Sequence, residues 1–240
     1  MCHWHILLNA AALTRLRSEK SDVNAATFFG FEFIPASCRN SVRQYIKQKK
    51  DGHRSSFFHC ERRFTMKKLL LVIDMQNDFI DGALGTPEAE AIVDKVVEKM
   101  ESYPTANIIA TRDTHTPDYL HTQEGQKLPV EHCIQGTPGW QLHPAIAAAL
   151  GEGKIVDKPT FGSIDLMHQL AAENQREPLA LELVGLCTDI CVVSNALLLK
   201  AAMPEVEITV DAACCAGVTP ESHRAALATM RQCQIVVVNG

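Results

Sequence analysis

PLALELVGLCTDICVVSNALLLKAAM, residues 178–203, decides how this chain is read. A run of apolar residues, too continuous for a strand with one wet face, stops at Gly185. A polar Thr188-Asp189 pair follows and opens an apolar helical pattern over 189–203. A buried strand feeding a helix across a short connection is half of a β-α-β unit, which implies parallel pairing. Cys191 falls in the first turn of that helix. Unpaired backbone N–H groups and the positive end of the helix dipole there favour thiolate over thiol. The same N–H groups suit an oxyanion developing on a substrate carbonyl. Taken alone, the segment serves equally well as a small buried cysteine at a helix start.

The pattern repeats in both directions from this unit. Apolar runs at 69–74, 107–113, 154–158, 206–213 and 234–240 read as strands. Residues 87–102, 139–150, 163–174 and 219–232 read as helices. The expected fold is α/β: a three-layer α/β/α sandwich with a mostly parallel central sheet. In such sheets function gathers at the carboxyl ends of the strands. Asp74, Asp113, Lys158 and Asp211 are expected at four of those ends, and Cys191 follows a fifth. An acid beside a helix-start cysteine can take the thiol proton, and a lysine can hold both resulting anions.

A second cluster lies in TRDTHTPDYLHTQEGQKLPVEHCIQGTPG, residues 111–139. Asp113 and His115 are two apart, so in extended backbone they point to one side. His121, Glu124 and His132 follow on the connecting loop. Histidines with carboxylates suit a divalent transition ion with open positions for water or substrate: zinc foremost, with iron or manganese as alternatives.

Composition bounds the rest. The chain has 240 residues, 46% hydrophobic and 21% charged, with no apolar run long enough to span a bilayer. Nine cysteines, an odd number without zinc-type pairing, read as reduced thiols of a cytoplasmic protein. Cys214 and Cys215 are expected to be buried. No basic stripe marks the body, so neither nucleic acid nor membrane is an expected partner. The sequence leaves room for a homo-oligomer. Residues 1–65 carry 11 Lys/Arg against 5 Asp/Glu, whereas 66–240 carry 12 against 23. Seven of the nine phenylalanines also lie in the first 65 residues. Two differently composed segments therefore meet at Met66, and 66–240 is the expected folded domain. The first segment reads as a basic leader, an accessory element or sequence upstream of a natural start at MKKLLLVIDMQ. We favour the third reading and expect this N-terminal extension to be poorly ordered.

VIDMQNDF (72–79), RDTH (112–115), HCIQGTPG (132–139), DKPTFGS (157–163) and GLCTDICV (185–192) occur in the order seen in the isochorismatase-like cysteine hydrolases. The resemblance covers nearly all of 66–240 and none of 1–65. Within that family the metal-type residues are most similar to the nicotinamidases, which hydrolyse nicotinamide to nicotinate and ammonia and serve NAD salvage. The resemblance implies a catalytic triad of Asp74, Lys158 and Cys191 working through a thioester. It implies metal ligands at Asp113, His115 and His132, with His121 or Glu124 as a further one. It also implies a ring pocket at Phe79 and Phe161, the only phenylalanines of the body. A cis Leu186–Cys187 peptide is implied too, with the N–H groups of Cys187 and Cys191 forming the oxyanion hole. Two departures stand out: Pro129 replaces a tryptophan common in nicotinamidases, and Cys187 replaces a more usual alanine. Alternatives are another cysteine amidase of this scaffold, acting on a carbamoyl, ureido or small aliphatic amide, and a non-catalytic ligand-binding protein retaining the fold. The complete acid–lysine–cysteine set speaks against the last.

Overall fold

Residues 66–240 are described by a computed structural model, and the expectations for residues 1–65 lie outside the described residues. β1 (Lys67–Ile73), β2 (Ile108–Asp113), β3 (Lys154–Lys158), β4 (Leu179–Leu186), β5 (Glu207–Ala216) and β6 (Val236–Val238) form one sheet in the order β3-β2-β1-β4-β5-β6. Every neighbouring pair is parallel. From β1 the chain first winds outward through β2 and β3, then returns to β4 on the other side of β1. The junction of β1 with β4 is therefore the topological switch point, where a crevice opens at the carboxyl ends of the strands.

Alternation along β1 explains the layers. Leu69, Leu71 and Ile73 pack into one core with residues of α6 (Ile164–Asn174), α7 (Val193–Ala202) and α8 (Pro220–Gln232). Leu70 and Val72 pack into a second core with α2 (Pro87–Glu90), α3 (Val93–Glu101) and α5 (Pro144–Leu150). Helices thus cover both faces, and the architecture is the expected three-layer α/β/α sandwich. Two short helices, α1 (Asn77–Ile80) and α4 (Gln123–Lys127), lie in the connections after β1 and β2. Cys214 and Cys215 are buried.

Several element boundaries differ from expectation for identifiable reasons. The helix expected over 87–102 is interrupted because the N–H of Ile92 reaches Ala89 rather than the fourth residue back, and α3 restarts at Val93. The helix expected from 139 begins at Pro144, since the residue before a proline avoids helical backbone. Residues 141–143 instead bond to the segment after β1: Gln141 accepts from Asn77, and His143 donates to Met75. β5 continues to Ala216, so Asp211 lies inside the strand, away from the reactive edge. Its carboxylate is 2.7 Å from Lys99 and accepts from the Asn239 amide at 3.0 Å. The Lys99 ammonium also holds Glu182 at 2.8 Å. Asp211 is therefore a structural acid, and its expected place at a strand end is corrected.

This cluster sets a pH dependence. Burial acts to raise the Asp211 pKa, but Lys99 and Asn239 outweigh it and hold the carboxyl below its ordinary value. A depressed folded pKa contributes stability that is present above the unfolded value of about 3.9 and is lost as pH falls through the folded one. Asp211→Asn should cost about 2–3 kcal/mol at pH 7, at or below the lower end for a broken buried pair because Lys99 retains Glu182. In urea melts the gap to wild type should narrow as pH falls below about 4, where the unfolded carboxylate protonates first and the folded one at lower pH; an undiminished gap would assign the loss to packing.

Candidate active site

Three strand ends and one helix start converge at the crevice. Asp74 directly follows β1, with left-handed backbone at φ 47°, a conformation that Asp tolerates better than most residues. Lys158 closes β3 and is completely buried. Its Nζ lies 2.6 Å from Asp74 Oδ2, 3.3 Å from Asp113 Oδ1 and 3.5 Å from Cys191 Sγ. A lone buried ammonium would be prohibitively costly, and here its neighbours remove that cost. Burial tends to lower the Lys158 pKa, but Asp74, Cys191 and Asp113 outweigh it, so the group stays an ammonium.

β4 reaches this point through a feature only glycine permits. Gly185 has φ +114°, and a Cβ there would stand 2.1 Å from the carbonyl oxygen of Ile73. The close approach brings the β4 end against the β1 end, and the pairing of β4 with β5 shifts register between Leu183 and Gly185. The Leu186–Cys187 peptide is cis, as the resemblance implied. The chain then enters a single π-helical turn, Thr188–Val192, before α7, instead of the regular α-turn expected. Cys191 sits in that turn, 3% exposed. Burial and the Asp74 charge push its pKa well above the ordinary thiol value, against the opposing influence of Lys158. That direction runs against the thiolate that a helix start was expected to favour. Burial likewise raises the Asp74 pKa, with Lys158 opposing, which suits that carboxyl to accepting and returning a proton.

Asp113 joins this trio to a second group. Ligand atoms of Asp113, His115, Glu124 and His132 all lie within 4.8 Å of one another. Burial acts to raise the Asp113 carboxyl, yet His115 and Lys158 hold it below the usual range. His132 Nδ1 lies 2.8 Å from the Val130 carbonyl, which can only accept, so Nδ1 carries the proton and Nε2 faces the group. Among the described residues His115 Nε2 is buried without a hydrogen-bond partner, though Asp113 Oδ2 is 3.0 Å and Glu124 Oε1 3.8 Å away. Across both groups three carboxylates face one ammonium, an excess that a divalent cation would neutralise. The donor set therefore fits such an ion. Glu124, carried on α4, supplies the fourth donor, whereas His121 is exposed and outside the group.

The two groups share a cavity of about 710 Å³. Phe79 and Phe161 both line it, with Leu128, Ile190 and Val218. Cys191 and Cys187 open onto it, while Asp74 and Lys158 lie behind them. Phe79 stacks 5.5 Å from the His132 ring, whereas Phe161 is 43% exposed at the mouth.

Several supporting residues were not singled out from sequence. Buried Gln76 donates to the carbonyls of Asp113 and Trp140 and accepts from the Asp113 N–H, locking the β1 and β2 ends together. Asp78 accepts from the Cys133 N–H at 2.7 Å and so anchors the His132 loop. Tyr119, fully buried, packs its ring 4.7 Å from His115 and 4.9 Å from His132. Asn195 donates to the carbonyls of Cys191 and Phe161 and accepts from the Ser163 N–H, tying the Cys191 turn to the Phe161 loop. The only sequence signal for these was proximity to the motifs, plainest for Gln76 and Asp78 within DMQND.

The described residues are similar to known proteins. Residues 68–240 match the model of the isochorismatase domain. The nicotinamidase/pyrazinamidase of Mycobacterium tuberculosis is 29% identical over 196 residues, 71% of this chain and 98% of that one. The nicotinamidase of Escherichia coli is 31% identical over 155 residues, 52% of this chain and 72% of that one. Among solved structures, the pyrazinamidase of Pyrococcus horikoshii in complex with zinc is 27% identical with a TM-score of 0.59, covering 72% of this chain and 99% of that one. The nicotinamidase of Bacillus subtilis is 26% identical with a TM-score of 0.61, over 72% and 99% of the two chains. On the match of its described domain, the chain belongs to the isochorismatase family.

Proposed function

We propose that this protein is a nicotinamidase, a hydrolase that cleaves the carboxamide C–N bond of nicotinamide to give nicotinate and ammonia for NAD salvage. The observation that carries the reading is the Lys158 ammonium within 3.5 Å of both Asp74 and Cys191, behind a cavity lined by Cys191, Asp113, His115, Glu124 and His132. Similarity to nicotinamidases over most of their length supports the substrate.

In this mechanism Asp74 takes the proton from Cys191, and Sγ attacks the carboxamide carbon. Lys158 holds the resulting thiolate and the displaced charge in place. The N–H groups of Cys187 and Cys191, at the opening of the π turn, receive the oxyanion. Protonated Asp74 returns its proton to the departing nitrogen, which leaves as ammonia and creates a thioester on Cys191. Asp74, again a carboxylate, deprotonates water for attack on the thioester carbon; nicotinate leaves and Sγ regains a proton. Phe79 and Phe161 sandwich the ring and exclude water from its faces. Asp113, His115, Glu124 and His132 would hold a divalent cation, zinc foremost, which supplies Lewis-acid polarisation when bound.

A second reading is an amidase of the same scaffold with a different carboxamide as its substrate. Pro129 in place of the family tryptophan and a cavity of about 710 Å³ favour it. Ammonia release from nicotinamide, pyrazinamide and carbamoyl amides separates the two, and nicotinamide should be preferred. The described residues contain no helix long and apolar enough to cross a membrane.

Cys191→Ala should lower ammonia release by about 10⁴-fold or more while leaving fold and metal content intact. Substantial residual turnover would refute the nucleophile assignment. His115→Ala should lower bound metal, read by elemental analysis, and raise KM; unchanged metal content would refute the ligand assignment.

A further inference from the structure

We propose that Thr111 is a positioning residue that fixes which oxygen of Asp74 receives the Cys191 proton. The inference rests on the reading of Asp74 and Cys191 as base and nucleophile. Thr111 lies in β2 beside the β1 end and is completely buried. Its hydroxyl donates to Asp74 Oδ1 at 2.6 Å, and its oxygen accepts the Asp74 backbone N–H at 3.2 Å.

A threonine hydroxyl has one proton to give. Here it is given to Oδ1, and among the described residues the hydroxyl has no second hydrogen-bond acceptor. A proton arriving at Oδ1 would meet that donor with nowhere for it to turn. Oδ2 differs. It faces Lys158 Nζ, which also contacts Asp113 Oδ1 and Cys191 Sγ. As a proton reaches Oδ2, the ammonium can swing its own donors toward Asp113 and the new thiolate. Oδ2 and Sγ also share Lys158 as a neighbour, so the short path joins those two atoms. In the transfer the S–H bond breaks and an Oδ2–H bond forms, leaving a thiolate beside an ammonium. Thr111 neither touches the substrate nor moves a proton; it holds the carboxylate plane and blocks the wrong oxygen.

The test compares Thr111→Val, nearly the same shape without the hydroxyl, with Thr111→Ser, which restores it. With nicotinamide, Thr111→Val should lose about 10–100-fold in kcat with KM within about 2-fold, the range expected for a misplaced catalytic group. Metal content should not change, and Thr111→Ser should recover kcat to within about 3-fold of wild type. Iodoacetamide labelling of Cys191 near neutral pH should slow in Thr111→Val and recover in Thr111→Ser. If Thr111→Val does not fold, Thr111→Ala reads the same quantities. Retention of kcat in Val, equal impairment of Ser and Val, or a change confined to KM would overturn the proposal. A wild-type protein inert toward nicotinamide would instead defeat the functional reading, and the labelling rates would then decide the role of Thr111.

Discussion

Everything at the carboxyl edge of this sheet is organised by one constraint: a fully buried ammonium must be surrounded by groups that can carry negative charge. Lys158 is completely buried, and Asp74, Asp113 and Cys191 surround its ammonium. Each belongs to a different strand or connection, so the ammonium acts as a pin through β1, β2, β3 and the turn after β4. The arrangement also holds the charge needed for reaction in reserve. Burial and Asp74 disfavour the Cys191 anion, and in the proposed mechanism Lys158 is already placed to stabilise it once Asp74 takes the proton. Stability and reactivity use the same contacts here, so a substitution at Lys158 affects both.

Topology explains why four distant segments meet. Winding outward to β3 and back to β4 places β1 at the centre, with its end facing β2 on one side and β4 on the other. Gly185 then removes the last steric obstacle between β1 and β4. Asp113 is the hinge of the arrangement: Oδ1 faces Lys158 and Oδ2 faces His115. The proposed metal group and the proposed nucleophile group are therefore electrostatically coupled through a single carboxylate.

Much of this was legible in the sequence because strands buried on both faces announce themselves as unbroken apolar runs, and a polar residue ending such a run is conspicuous. Asp74 was found that way, and Asp113 and Lys158 as polar ends of shorter, less apolar strands. Asp211 misled by the same rule: β5 runs on through AACCA, whose small apolar residues resemble a strand followed by a loop. The choice between His121 and Glu124 depended on the direction in which the short α4 presents its first turn, which spacing alone does not specify. The upward push on the Cys191 thiol was missed because the helix-start argument counts nearby N–H groups and leaves out burial beside a carboxylate. Thr111 and Asn195 carried no signal. A threonine in a strand and an asparagine in a helix are ordinary until their hydrogen-bond partners are known.

The central claim is that Cys191, held beside Lys158 and Asp74, forms a covalent bond to the acyl group of the substrate. Acid quenching during turnover of nicotinamide, followed by peptide mapping by mass spectrometry, tests it most directly. The account predicts a nicotinoyl thioester on the peptide carrying Cys191, located at that residue and absent from Cys187. Turnover without any acyl adduct, or an adduct on another cysteine, would contradict it.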